Sequence, residues 1–236
     1  MISIIYITSR KKPRFDWFVD SLQLNLKQFP LLPVELIFVD YWKDERDKNK
    51  YDSDENDFEQ IRVWQDMIVQ YKHVAPLPSF CQGPHKITKT EYFSASTARN
   101  TGFGHAKYDY VVFVDDASVL GPQWLKAVVE GMRSQSVVLG AYQKHTEMVV
   151  ENGKLISSKF EPSGADSRWN AIPPDIAFSP AAYDWFFGCS FAMPLHWALD
   201  INGFDEMQSI TGYEDGPFGI RLGKSARKII YDKRMF

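Results

Sequence analysis

Cysteine is nearly absent from this chain. Only Cys81 and Cys189 occur in 236 residues, too few for a disulfide framework and without the C-x-x-C spacing of metal or redox work, so both are expected to be free thiols. An excess of either charge is also lacking: 27 Lys and Arg face 30 Asp and Glu, a formal net charge of -3, with a pI near 6.0. That balance argues against a broad basic surface for nucleic acid, so a phosphate ligand has to be met locally, as a bound metal ion can do. No apolar run approaches membrane-spanning length, and "MISIIYITSRKK" puts its apolar residues before its basic ones, the reverse of a signal peptide. No transmembrane segment, no nucleic-acid partner and a cytoplasmic location are the expectations. There is no internal repeat and no low-complexity tract.

What the chain does have is an ordinary globular make-up, 44% hydrophobic and 15% aromatic, with the length for one sizeable core. Ile2 to Ile7 reads as a buried strand, and Phe18, Leu22, Leu26 and Phe29 then keep helical spacing until Pro30. Val34 to Val39 is a second strand, followed by a charged stretch from Lys43 to Asp57 that reads as a solvated loop. Phe58, Ile61, Met67, Ile68 and Tyr71 suggest a helix, and His73 to Leu77 a short strand. Ser94 to Ala106 reads as a helix, Tyr110 to Val114 as a strand, Gly121-Pro122 as the opening of a helix through Met132, and Val137 to Tyr142 as another strand. Alternation of this kind predicts an α/β fold: one Rossmann-like, mostly parallel sheet with helices on both faces. Near residue 145 the pattern changes. "EMVVENGKLISSKF" is two alternating runs around Asn152-Gly153, which predicts a small antiparallel hairpin. Glu161 to Tyr183 reads as a long irregular segment, residues from Pro194 to Gly203 as a short helix, and Glu214 to Lys224 as the last helix.

In a doubly wound sheet, ligands bind outside the carboxyl ends of the strands. Three predicted strands end there in polar residues: the first in Thr8-Ser9-Arg10, the second in Asp40, the fourth in Asp115-Asp116. Two adjacent carboxylates at a strand end cannot both stay ionised and close without a compensating cation, and hard oxygen ligands suit Mn²⁺ or Mg²⁺ bridging a diphosphate. The plainer alternative is that Asp115 or Asp116 caps a loop or the coming helix.

The order of "SIIYITSR", "ELIFVD", "ASTARNTGFGHAKYDYVVFVDDAS", "FFGCSFAMPLHWALDINGFDE" and "GYEDGPFGIRL" resembles the family 2 glycosyltransferases with the GT-A fold, over nearly the whole chain. The resemblance implies a single GT-A domain over 1–236, with a nucleotide-binding half at 1–120 and an acceptor-binding half at 121–236. It implies a metal-dependent, inverting transfer of a sugar from a nucleotide-diphosphate sugar donor to the hydroxyl of a glycan or other acceptor, in polysaccharide or glycan synthesis. By the same resemblance Thr8, Arg10 and Asp40 hold base and ribose, and Arg99 supports the nucleotide or its phosphates. Asp115 and Asp116 stand for the D-x-D metal motif, in a compact D-D form whose usual last Asp falls on Ala117 or Asp116. Asp115 is thus shared between ribose and metal. Glu214-Asp215 stands for the acidic pair of inverting members, Asp215 as base and Glu214 holding an acceptor hydroxyl. Side chains about 100° apart on a helix are not expected to reach one hydroxyl together. Some members add a C-terminal His to the metal, but none of the five His lies beyond His196. Trp169 and Trp185 are candidates for stacking on the acceptor.

Other motifs carry less. Gly223-Lys224-Ser225 imitates a phosphate loop, but Gly219 is one residue too close and the segment ends a helix. "GCSFA" at Gly188 to Ala192 is an incomplete nucleophile elbow, so Ser190 reads as structural, and His196 reads as a core histidine. Two further function classes stay open: a sugar-phosphate nucleotidyltransferase, though "YITSRKKPR" lacks the expected Gly-rich loop, and a catalytically inactive sugar-nucleotide or glycan-binding domain.

Overall fold

The structure is a computed structural model that describes residues 1–48, 70–78, 93–207, 213–225 and 228–236. Among the described residues there are ten strands and six α-helices. The strands are β1 (Ile2–Thr8), β2 (Val34–Asp40), β3 (Gln70–Val74), β4 (Tyr110–Asp115), β5 (Val137–Gly140), β6 (Gln143–Glu151), β7 (Lys154–Ala165), β8 (Phe178–Pro180), β9 (Ser190–Pro194) and β10 (Ile229–Asp232). The helices are α1 (Phe15–Leu26), α2 (Lys43–Lys48), α3 (Ala95–His105), α4 (Trp124–Arg133), α5 (Leu195–Asp200) and α6 (Asp215–Lys224).

Eight strands form one sheet in the order β3-β2-β1-β4-β9-β5-β10-β8. Four of its seven pairings are parallel, and only β9 and β8 run against the others. Every residue of β1 and β2 is buried, as a strand covered on both faces must be, and alternate side chains divide between two cores. Ile4, Tyr6, Leu36, Phe38 and Val112 pack under α1 and α4. Ile5, Ile7, Ile37, Val39 and Phe113 pack under α3 and α6. Register sets Thr8 beside Asp40 and Ile7 beside Asp115, so the polar strand ends share one edge.

The hairpin forms as the sequence predicts. Asn152 and Gly153 both take positive φ, 49° and 72°, the turn whose twist suits two right-twisted strands. Gly153 also lies against the α1 backbone, where a Cβ would come 2.4 Å from Ser21 N.

Several expectations change. Lys43–Lys48 is a short helix rather than loop, with Asp44 and Glu45 in its first turn and Arg46 and Lys48 in its last, a charge order that suits the helix dipole. The rest of that charged stretch, most of the helix expected over 58–71, and Cys81 lie outside the described residues. The strand expected at His73 to Leu77 runs instead over Gln70–Val74, following its parallel register with β2. α4 begins at Trp124, after Pro122. The segment read as irregular contributes Glu161–Ala165 to β7 and Phe178–Pro180 to the sheet edge. β9 and β10 were not expected as strands. β9 is a five-residue buried run inserted antiparallel between β4 and β5, too short for periodicity to separate from loop or helix. His196 is exposed on α5, its ring edge-on to Trp197, because α5 turns Ala198 rather than His196 into the core. Among the described residues no helix is long and apolar enough to cross a membrane.

Candidate active site

Arg99 is the centre of the site. It lies in the second turn of α3, a helix opened by Ser94, whose hydroxyl accepts a hydrogen bond from Thr97 N at 3.1 Å. Its guanidinium is 4% exposed and meets three carboxylates. Nη1 donates to Glu214 Oε1 at 2.6 Å and to Asp215 Oδ1 at 3.2 Å, and Nη2 lies 3.6 Å from Asp115 Oδ1. Nη2 also donates to the Gly188 carbonyl at 3.2 Å. Phe204 lies beneath the guanidinium, 5.2 Å from its ring centre.

This placement bears on two expectations. Arg99 pairs with the acidic cluster. Glu214 and Asp215 do converge, on one nitrogen, because Glu214 sits just before the helix proper and caps it with no side-chain bond. Of the two, Asp215 is the more open, its side chain 28% exposed against 7%. Glu214 Oε2 and Arg99 Nε are buried with no hydrogen-bond partner among the described residues.

The neighbouring residue of the same motif does a different job. Asn100 Nδ2 donates to Phe204 O at 2.9 Å and its Oδ1 accepts from Phe204 N at 2.8 Å. "ARN" therefore ties α3 to the acidic pair with one side chain and to the "GFDE" loop with the next. Phe204 carries this further by stacking on Phe218 of α6 at 3.9 Å.

Asp115 and Asp116 are adjacent but serve opposite sides. Ala117 takes a left-handed φ of 55°, a conformation that costs a non-glycine residue about 1 kcal/mol or more. It is held there by its amide, which donates to Pro13 O and Tyr6 OH, both at 2.9 Å. Asp116 turns to the β1 loop, accepting from Thr8 Oγ1 at 2.5 Å and Arg10 Nε at 2.9 Å. Asp115 faces Arg99. Burial, and after it the charges of Asp215, Asp116 and Glu214, push the Asp115 carboxyl up to about 6 despite Arg99. Its side chain keeps 41% of its surface, so water screens much of that penalty. Asp215 is raised in the same way, by burial and Glu214, against Arg99 and a hydrogen bond from the Gly188 amide.

Asp40 lies at the expected edge and is wholly buried. Oδ2 takes Arg46 Nε at 2.6 Å and His73 Nε2 at 3.0 Å, and Oδ1 accepts from Trp42 N at 3.0 Å. Burial works to raise its pKa, but these bonds outweigh it and hold it below the ordinary carboxylate value. Arg46 passes the connection on, donating to the Lys11 and Arg10 carbonyls at 2.8 Å each. Asp40 is thus tied to the β1 loop through Arg46. It braces the β1 loop. Thr8 is buried against Asp116, while Arg10 keeps 63% of its side-chain surface.

Trp169 and Trp185 are both partly buried. Trp169 packs edge-on to Phe236 at 5.9 Å with Lys233 Nζ 5.4 Å above its ring, and lines a shallow hollow of about 350 Å³ apart from the carboxylates. Trp185 packs on Tyr231 at 5.8 Å and opens the segment that enters the site.

That segment holds the residue sequence reasoning missed. Gly188 N donates to Asp215 Oδ2 at 2.9 Å, and a Cβ at this position would come 2.3 Å from Arg99 Nη2 and 2.4 Å from Asp215 Oδ1. Only glycine lets the backbone approach both charged groups so closely. Cys189 beside it has its thiol pushed up to about 12, chiefly by burial, and so is no thiolate nucleophile. Ser190 accepts from Trp124 Nε1 at 3.4 Å and is structural. Gly223-Lys224-Ser225 ends α6.

A cation fits the donor set. Three carboxylates share Arg99, leaving negative charge unbalanced beside the partly open Asp115. Among the described residues no group of three or more His, Cys, Asp or Glu is arranged as a complete metal cage. Magnesium bound with phosphates commonly takes only one or two protein carboxylates, with water and phosphate oxygens completing its shell.

A model of glycosyl transferase family 2 matches residues 66–192, more than half the chain. The chain belongs to that family. No curated protein sequence matches it. Among solved structures it is similar to S. aureus TarS 1-349, with a TM-score of 0.57 at 14% identity over 98% of this chain and 60% of that one. The same TarS fragment in complex with UDP gives a TM-score of 0.58 at 15% identity, again over 98% and 60%. In complex with UDP-GlcNAc it gives 0.57 at 14% over 98% and 58%. The chain thus spans about 60% of the length of these TarS chains. At such identity the likeness shows the fold alone, and that fold is GT-A.

Proposed function

We propose that this chain transfers a sugar from a nucleotide-diphosphate sugar to an acceptor hydroxyl, with inversion and with Mn²⁺ or Mg²⁺, in the synthesis of a polysaccharide or other glycan. The observation that carries this reading is the gathering of Asp115, Glu214 and Asp215 on Arg99 at the carboxyl edge of a GT-A sheet. Uridine nucleotides are the first donors to try, because the TarS structures hold UDP and UDP-GlcNAc.

Asp215 is the base. It takes the proton of the acceptor hydroxyl as the oxygen attacks the anomeric carbon from the face opposite the leaving diphosphate. Its raised pKa brings a carboxylate closer to the strength this step needs, and the Gly188 amide and Arg99 fix the direction of its oxygens. Glu214 holds Arg99 and, through it, Asp215. A divalent cation, held by Asp115 and Asp116, would neutralise charge on the leaving diphosphate. Thr8 and Arg10 grip Asp116, which joins the β1 loop to the acidic motif. Asp40 supports the nucleoside side indirectly, through Arg46. Trp185 belongs to the acceptor side.

The test is release of UDP from a panel of UDP-sugars with Mn²⁺, alongside EDTA-treated protein verified as metal-free. Turnover of one donor that is lost with EDTA and restored by Mn²⁺ is the expected result. Undiminished turnover by the metal-free protein removes the cation, and binding of UDP-sugars without any turnover favours the inactive binding domain.

A further inference from the structure

Arg168 lies outside the acidic cluster and is almost wholly enclosed. Nε donates to Asp166 Oδ1 and Nη2 to Asp166 Oδ2, both at 2.8 Å, while Nη1 donates to the Trp185 carbonyl and Nη2 to the Gly140 carbonyl, both at 2.7 Å. Phe187 and Tyr231 lie 4.3 and 4.7 Å from the guanidinium carbon, and Tyr231 OH donates to Asp166 Oδ2 at 3.0 Å. A buried ion pair is weak grounds for stability, since well-packed apolar groups often do as well. What apolar groups cannot do is bind a carboxylate twice and two carbonyls at once, for which the planar guanidinium fork is built.

The two carbonyls show what the fork joins. Gly140 ends β5 in the sheet, and Trp185 begins the segment that enters the site. Within five residues this segment is held by Arg168 at Trp185 and Phe187, places the Gly188 amide on Asp215, and accepts a hydrogen bond at Cys189 O from Asp115 N at 3.1 Å. Both acidic motifs therefore lean on one strut, and Arg168 is its fixed end.

We propose that Arg168, locked by Asp166, is a positioning residue that holds the Trp185–Cys189 strut so that the Gly188 amide stays on Asp215. The catalytic part of this inference rests on the reading of Asp215 as the base. The structural part does not, and it can be measured without a substrate.

Arg168→Lys keeps the charge but replaces the fork with a point donor. In protein labelled with ¹⁵N-glycine, whose 14 glycines give a simple spectrum, the Gly188 amide should exchange with solvent at least about tenfold faster in the variant. Gly102 and Gly131, packed in the two cores, should keep their rates. Unchanged exchange at Gly188, or equal acceleration at all three, overturns the proposal. Kinetics supply the second arm, with UDP-GlcNAc as probe and water as acceptor. UDP release should fall about 10- to 100-fold in Arg168→Lys, the scale of a misplaced group of roughly 1 Å, while the Kd for UDP stays within about twofold. In the Asp215→Asn background, read by single turnover, the same change should cost less than about threefold, because no base remains to be misplaced. Equal losses in both backgrounds overturn the proposal and leave the base assignment standing, whereas near-normal turnover by Asp215→Asn overturns the base assignment and leaves the exchange result to decide the strut. If Arg168→Lys does not fold, Phe187→Leu loosens the same strut with the ion pair intact and should show the same selective exchange at Gly188. Its absence there counts against the proposal equally.

Discussion

Asp40 and Arg99 occupy the same edge of the sheet with opposite charge accounts. Around Asp40 one carboxylate receives a guanidinium, an imidazole and a backbone amide, and its pKa falls. Around Arg99 one guanidinium receives three carboxylates, and the pKa values of Asp115 and Asp215 rise. The first arrangement is satisfied and closed. The second holds more negative charge than it neutralises, which a protein built only for stability has no reason to keep. Both places lie at the same sheet edge, so the balance of partners is what distinguishes them.

The sharpest way to break the comparison is to remove the proposed base. Asp215→Asn preserves shape but cannot accept a proton, so kcat should fall by roughly 10²- to 10⁴-fold with UDP affinity nearly unchanged by calorimetry. Near-normal turnover, or a product that keeps the donor's anomeric configuration by NMR, would sink the assignment.

On the closed side the effect should be on folding. Arg46→Ala strips the guanidinium from a buried carboxylate, and breaking such a pair costs about 3 to 5 kcal/mol, to be read from urea unfolding. Because His73 and Trp42 N remain on Asp40, the lower end is expected. The sign with pH follows from the lowered folded pKa of Asp40. The penalty is fully present above the ordinary carboxyl value of about 4 and disappears as pH falls through the lower folded value. Equal penalties at pH 7 and at strongly acid pH would show that Asp40 is not the partner that matters.

The smallest effect tests the open side in ligand-free, chelated protein. Asp115→Asn should raise the melting temperature at pH 7, because it removes a like charge from an overcrowded cluster. That gain should shrink as pH falls through about 6, where the wild-type carboxyl takes up its proton. A variant that melts lower than wild type at pH 7 would mean that the contact with Arg99 outweighs the repulsion.

Much of this architecture was legible because it rests on local pattern. Strands such as Ile2–Thr8 and Tyr110–Asp115 are mostly apolar runs, Asn152-Gly153 names its own turn, and the rule of carboxyl edges then points to the candidate site. The direction of side chains was not legible. Arg99 meets Gly188, Glu214 and Asp215 across 89, 115 and 116 residues, and no local spacing reports such a meeting. Asp40 could be placed at its edge, but its partners Arg46 and His73 could not be read, one of them lying in a segment read as loop. β9 was hidden because a short strand inserted antiparallel borrows its stability from both neighbours and needs little pattern of its own.

The bare backbone at Gly188 bears on how relatives should be sorted. Acidic motifs are easy to find by inspection, and a chain can keep both after losing its chemistry. A methyl group at position 188 would leave those motifs intact while displacing Arg99 and Asp215, the two side chains nearest to it. Glycine here is thus a separate and cheaper criterion: a relative with both acidic pairs but a larger residue at this place should be classed with the binders until turnover is seen.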